Sequence, residues 1–174
     1  MRILLLFELL IAIAFSGDVV VNCGLKSSSS DRHSEDFVCK NGWKPFESHC
    51  YRLFYTPKSW SQAADFCALQ GGHLTSIKDE KENDFLKQLV TTTGQQISHW
   101  IGGFTGVHSP DQRWTDGSEW QFSSFPMEMV NATSGNATMT SNRCTVVHVV
   151  LATSIEWYND HCGSEWPFIC KKNE

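Results

Sequence analysis

Seven cysteines in a chain of 174 residues constrain this sequence more than any other feature. None is arranged as Cys-x-x-Cys, so the spacing gives no support to a zinc ribbon or a thioredoxin-like redox centre. Whether the thiols pair depends on the compartment, and the amino terminus bears on that. Met1-Arg2 precedes a run from Ile3 to Phe15 that is apolar apart from Glu8, and the small residues Ser16-Gly17 follow. A charged start, a short apolar stretch and a small-residue cleavage site read as a signal peptide over 1–16. A membrane anchor would need about twenty apolar residues, and Asp18 ends the run too early. A chain exported this way folds where thiols oxidise, so its cysteines are expected to pair.

Two acceptor triplets for N-linked glycans agree with export: Asn131-Ala132-Thr133 and Asn136-Ala137-Thr138. They fall in a Ser/Thr/Asn/Gly-rich stretch that is expected to be an exposed loop. Hydrophobic residues make up 41% and aromatics 12%, enough for a packed core, which excludes a wholly disordered chain. Net charge is −5, and no Lys/Arg run exceeds Lys171-Lys172. Nucleic acid is therefore an unexpected partner, because phosphate binding needs concentrated basic charge.

Residues 17–38 include Ser27 to Ser30 and show no apolar period, so they read as a flexible leader; the density of aromatics and cysteines rises from Cys39 onward. Asn41-Gly42-Trp43 and Cys50 to Tyr55 suggest a hairpin. Ser59 with Gln62 forms a capping box, and Trp60, Ala63, Ala64, Cys67 and Ala68 follow at helical spacing until Gly71-Gly72. A second helix is expected from about Asp79 to Val90, with Phe85, Leu86, Leu89 and Val90 on one face. Short pieces then alternate with turns such as Asp116-Gly117, and a long polar loop spans roughly Ser118 to Arg143. The β-prone run Val146 to Leu151, Glu156-Trp157-Tyr158 and Phe168-Ile169-Cys170 close the chain. Two helices followed by short strands point to an α+β domain.

Six elements in order carry a resemblance. They are Cys39 and Cys50 around Gly42-Trp43, Ser59 to Cys67, Gly71-Gly72-His73-Leu74-Thr75-Ser76-Ile77, Trp100-Ile101-Gly102-Gly103, Trp114-Thr115-Asp116-Gly117-Ser118, and Cys144, Cys162 and Cys170. Residues 39–171 resemble a C-type lectin-like domain of the long form, with 172–174 as a tail. Of the fifteen pairings open to six cysteines, the resemblance implies Cys39–Cys50, Cys67–Cys170 and Cys144–Cys162. Cys23 is left over in the leader, where an interchain bond is the favoured use.

The resemblance implies carbohydrate recognition, often in host defence, and in sugar-binding members one calcium ion does the recognition. Calcium takes six to eight oxygens. Such members supply them from Glu-Pro-Asn or Gln-Pro-Asp in the long loop, a carboxylate before the fourth cysteine, and Trp-Asn-Asp on the next strand. This chain departs at each place. The loop reads Phe125-Pro126-Met127-Glu128-Met129-Val130, and Asn142-Arg143 precede Cys144. The strand reads Trp157-Tyr158-Asn159-Asp160-His161-Cys162, which moves Asp160 one place and so to the opposite face, unless a β-bulge restores it. Glu128, Asn142, Asn159 and Asp160 are the candidate ligand residues and the only candidate calcium donors; no other cofactor is expected. Trp120 is a candidate for stacking on a sugar ring. Protein recognition or self-association through the long loop is the alternative. His73 is expected at a packing position, and His148 as a satisfied residue of an apolar strand. No catalytic motif is present, so no enzyme activity is expected.

Overall fold

The computed structural model describes residues 38–40, 42–92, 94, 97–106, 109–126, 143–151 and 154–174. The chain divides into two units, Met1–His33 and Ser34–Glu174, and all described residues belong to the second. Cys23, Glu128, Asn131, Asn136 and Asn142 lie outside the described residues.

The described elements run β1 (Lys44–Phe46), β2 (His49–Lys58), α1 (Trp60–Leu69), β3 (His73–Leu74), α2 (Glu80–Thr91), β4 (Ser98–Gly106), β5 (Ser109–Trp114), β6 (Arg143–Leu151), β7 (Ser154–His161) and β8 (Trp166–Lys172). One sheet is ordered β1-β2-β8-β4-β6-β7, with β3 on β8 and β5 on β4. The pairs are antiparallel except β4 with β8, which run parallel through Trp100 and Phe168. The last strand thus lies in the middle of the sheet.

The central strands are buried on both faces, and since consecutive side chains in a strand point to opposite sides they feed two cores. Ile101, Val147, Trp157 and Ile169 enter one core with Leu86 and Val90 of α2. Their neighbours Trp100, Val146 and Phe168 enter the other with Ala63 and Cys67 of α1. Double burial explains why Val146 to Leu151 reads as a nearly continuous apolar run rather than an alternating one.

α1 begins as its capping box dictates: the Ser59 side chain accepts from the Gln62 amide, and the Gln62 side chain accepts from the Ser59 amide. Gly71 adopts φ +80°, which permits the reversal after the helix. A side chain at Gly103 would meet Thr145 Oγ1 at 2.4 Å, so only glycine lets β4 and β6 approach. The three disulfides are Cys39–Cys50, Cys67–Cys170 and Cys144–Cys162. The second joins α1 to the central strand β8 across 103 positions of sequence.

Two histidines depart from expectation or sharpen it. His73 is exposed rather than packed; it stands at the start of the two-residue strand β3, opposite Lys171. His148 is half-buried and its Nδ1 lies 3.0 Å from Ser98 Oγ. Among the described residues the fully buried imidazole is that of His99, on β4, and neither of its nitrogens makes a well-formed hydrogen bond with a described residue. Burial pushes its pKa down to about 4; the Ile97 carbonyl pulls the other way and His148 adds to the lowering.

A histidine held neutral when folded binds fewer protons than when unfolded, so it contributes fully above its ordinary pKa and its contribution is lost as pH falls. Between the ordinary value of 6.5 and about 4, unfolding free energy is expected to fall by about 3 kcal/mol through this group. Urea midpoints measured across that range should decline in the native chain and decline less in His99→Phe. Equal slopes for the two would contradict this account of His99.

Candidate functional site

The sequence places its candidate ligand residues along β7 and the long loop, and the register of β7 decides what they can do. β6 and β7 pair without interruption from Arg143 opposite His161 to Val149 opposite Ile155; the register shift comes later, between Val149 and Leu151. There is no bulge at Asn159-Asp160. The two side chains therefore stand on opposite faces of the strand.

Asn159 lies on the same face as Trp157, across from Thr145. Its Oδ1 accepts from the buried Thr145 hydroxyl at 3.2 Å. Asp160 lies on the other face, across from Cys144. Its Oδ2 accepts from Trp166 Nε1 at 2.8 Å, and its Oδ1 accepts from the His161 amide at 2.6 Å. Burial pushes the Asp160 carboxyl up, but the bonds from the Trp166 indole, the His161 amide and the Ser164 hydroxyl outweigh it and hold it below its ordinary value. Oδ2 thus ties β7 to the start of β8, and Oδ1 holds the amide at the end of β7.

Trp120 sits in an aromatic group. Its ring lies nearly parallel to Trp114 at 4.1 Å and to Phe125 at 6.4 Å, and edge-on to Trp157 at 5.8 Å. Trp157 is fully buried, and its Nε1 donates to Asn83 Oδ1 at 3.0 Å. Phe122 and Phe125 also meet the Trp157 ring edge-on, and the Trp157 amide donates to the Ser124 carbonyl at 3.2 Å. The first part of the long loop is thus fastened to the core by its own aromatics.

A second polar centre went unremarked in the sequence. Glu82, on α2, is 1% exposed. Its carboxylate accepts from Tyr51 Oη at 2.5 Å, from the Lys78 amide at 2.9 Å and from Lys171 Nζ at 2.7 Å. Lys171 Nζ also lies 3.3 Å from Ser76 Oγ, and Ser76 Oγ donates to Asp116 at 2.5 Å. Burial and then the bond to Glu82 raise the Tyr51 pKa far above its ordinary value. Burial pushes Asp116 up, but hydrogen bonds from Ser118 and Ser76 hold it below the ordinary carboxylate value. Ser76, Asp116 and Lys171 of this chain of groups line an open cleft bordered by His49, His73, Glu119 and Lys172. The charges of the network satisfy one another, so its main work is to bind α2, β8 and the Asp116 turn together. The only signal in the sequence was a charged residue next to the apolar face of α2, which ordinarily means solvent.

For calcium, the described part of the donor set does not fit: Asn159 and Asp160 diverge, and their oxygens already serve the fold. Among the described residues no three His, Cys, Asp or Glu side chains converge on one point.

A sheet with one helix on each side, a central closing strand cross-linked to the first helix, and a loop over residues 118–126 anchored beside β7 define an α+β domain of the C-type lectin-like class. A family model described as "Lectin C-type domain" matches residues 56–172. The chain belongs to that family. Snaclec agglucetin subunit alpha-1 of Deinagkistrodon acutus is 34% identical over 142 residues, covering 78% of this chain and 83% of the relative. Human lithostathine superposes with a TM-score of 0.67 at 20% identity, covering 78% of this chain and 100% of the other. A calcium-independent type II antifreeze protein superposes with a TM-score of 0.66 at 24% identity, over 81% and 98% of the two chains.

Proposed function

We propose that this chain is a secreted, non-enzymatic binding protein that recognises a carbohydrate without an intact calcium site. The observation that carries the second half is the Asp160 carboxylate, turned away from Asn159 and engaged by Trp166 and His161. Membership of a lectin family supports the carbohydrate half. Secretion is supported by the three disulfides, which persist in oxidising compartments. Among the described residues no helix is long and apolar enough to cross a membrane. In this reading Asn131 and Asn136 carry glycans on the long loop. The test is a glycan array probed with the secreted chain in calcium and in chelator. Binding to one glycan class at equal strength in both supports the proposal; binding abolished by chelator overturns its calcium half, and no glycan bound overturns the other.

One observation favours protein association as a second reading: the Deinagkistrodon relative is by name a subunit. Cys23 has no partner in the domain once the other six cysteines are paired. A dimer linked through Cys23 would raise avidity for a weak ligand by about two orders of magnitude. Non-reducing electrophoresis should then show a dimer that Cys23→Ser removes without changing the melting temperature. A monomer with a titratable thiol would end this reading.

A further inference from the structure

The open cleft has a volume of about 730 Å³ and is lined by the end of β8, by Gly71 to His73 and by the turn after β5. Volumes of about 300–1,000 Å³ suit a small ligand or the end of a longer one. Asp116 is held there in one orientation. Its Oδ1 accepts from the Ser118 amide at 2.9 Å and the Ser118 hydroxyl at 2.6 Å, and its Oδ2 from Ser76 Oγ at 2.5 Å. An ionised carboxylate has about four acceptor positions, so Oδ2 keeps one open.

Three planar polar side chains on the same cleft have hydrogen-bonding capacity left over. The His73 and Asn173 side chains bond to no described residue, and Gln121 only donates from Nε2 to Glu119 at 2.8 Å. All three are exposed. Tyr51, Lys171 and His73 stand side by side across β2, β8 and β3, and His49 shares their face two residues before Tyr51. Burial and then the Lys171 ammonium lower the His49 pKa, so this imidazole carries no charge at neutral pH. Nothing lies within 4 Å of where a side chain at Gly71 or Gly117 would stand, so the backbone at both walls is open to a ligand.

The charges argue against an ion as that ligand. Lys78 pairs with Glu47 and Lys171 with Glu82, and the Lys172 ammonium lies 4.5 Å from the Trp43 ring centroid. Asp116 and Glu119 present carboxylates to the same space. An acidic ligand would meet two like charges with only Lys172 to offset them. A neutral polyhydroxylated ligand uses what the cleft has, since a fixed carboxylate accepts from a hydroxyl while carboxamides and imidazoles donate and accept.

We infer that this cleft, rather than β7, receives the carbohydrate of the proposed function, as the end of a neutral oligosaccharide with one hydroxyl on Asp116 Oδ2 and others on His73, Gln121 and Asn173. The inference rests on the calcium-free carbohydrate reading above and gives it a place and a class of sugar.

The test titrates the full secreted chain, in chelator, with mannotriose, galactotriose, maltotriose and chitotriose, and with sialyllactose beside them. At least one neutral trisaccharide should bind, and His73→Ala/Gln121→Ala should bind it at least about tenfold more weakly at an unchanged melting temperature. Arg143→Ala, exposed at the β6 end beside β7, should bind within about twofold of the native chain. In the native chain the amide NMR signals of Gly71, Gly117 and Asn173 should move during the titration, and those of β7 should stay. A neutral sugar bound equally by His73→Ala/Gln121→Ala, or one that moves only the β7 signals, overturns the inference and leaves the carbohydrate reading standing. Tighter binding of sialyllactose overturns the neutral class. No sugar bound by the native chain overturns the carbohydrate reading and this inference with it.

Discussion

Replacing Cys67 and Cys170 together with alanine is expected to destabilise the domain more than removing either other bridge. Cross-linking restricts the unfolded chain, and the restriction grows with the loop it closes. The Cys67–Cys170 bridge spans 103 positions, against 11 for Cys39–Cys50 and 18 for Cys144–Cys162. Chain entropy alone assigns it about 4.7 kcal/mol and the shorter ones about 3 kcal/mol each. Both Cys67 and Cys170 are fully buried, so truncation also removes packing beside Trp100 and Phe168. A loss of that size rivals the net stability of a typical domain, and the double variant should unfold at or near body temperature. Melting curves of the two double variants Cys67→Ala/Cys170→Ala and Cys39→Ala/Cys50→Ala should separate clearly. Equal losses would show that β8 is held in the sheet by its hydrogen bonds alone.

Lys171→Met should be nearly as damaging, for an electrostatic reason. The Lys171 side chain is 11% exposed and the Glu82 side chain 1%. Removing the ammonium leaves a buried carboxylate whose remaining partners are Tyr51 and the Lys78 amide. Stranding one member of a buried pair costs about 3–5 kcal/mol, whereas replacing both with groups that need no counter-charge costs far less. Glu82→Gln in the Lys171→Met background should therefore recover much of the stability, as the amide can still accept from Tyr51. Denaturant midpoints of the two single variants and the double variant check this. Strictly additive losses would mean that Lys171 and Glu82 are not energetically coupled.

The elements that local chemistry controls were readable from the residues. The Ser59–Gln62 capping box announced α1 within a residue, and the acids after Asp79 marked the start of α2. Glu82 and Asn83 were not readable as buried, because their partners are Lys171 and Trp157, which lie 89 and 74 positions away. His99 was equally hidden: nothing local distinguishes it from His148, and only the stacking of α2 over β4 and β6 decides which imidazole is enclosed. At the candidate site the one-residue offset of Asp160 could be counted from Trp157. What the offset does to Asp160 could not, because the hydrogen bond from Trp166 appears only once the β7–β8 turn closes.

The account turns on the polar residues of β7 holding the fold rather than a cation. Calorimetric titration of calcium into the metal-free secreted chain, repeated on Asp160→Ala, tests this most directly. The account predicts no saturable heat below about millimolar calcium in either protein, together with a lower melting temperature in Asp160→Ala from the lost bond to Trp166. Saturable micromolar binding in the native chain that Asp160→Ala abolishes would contradict it.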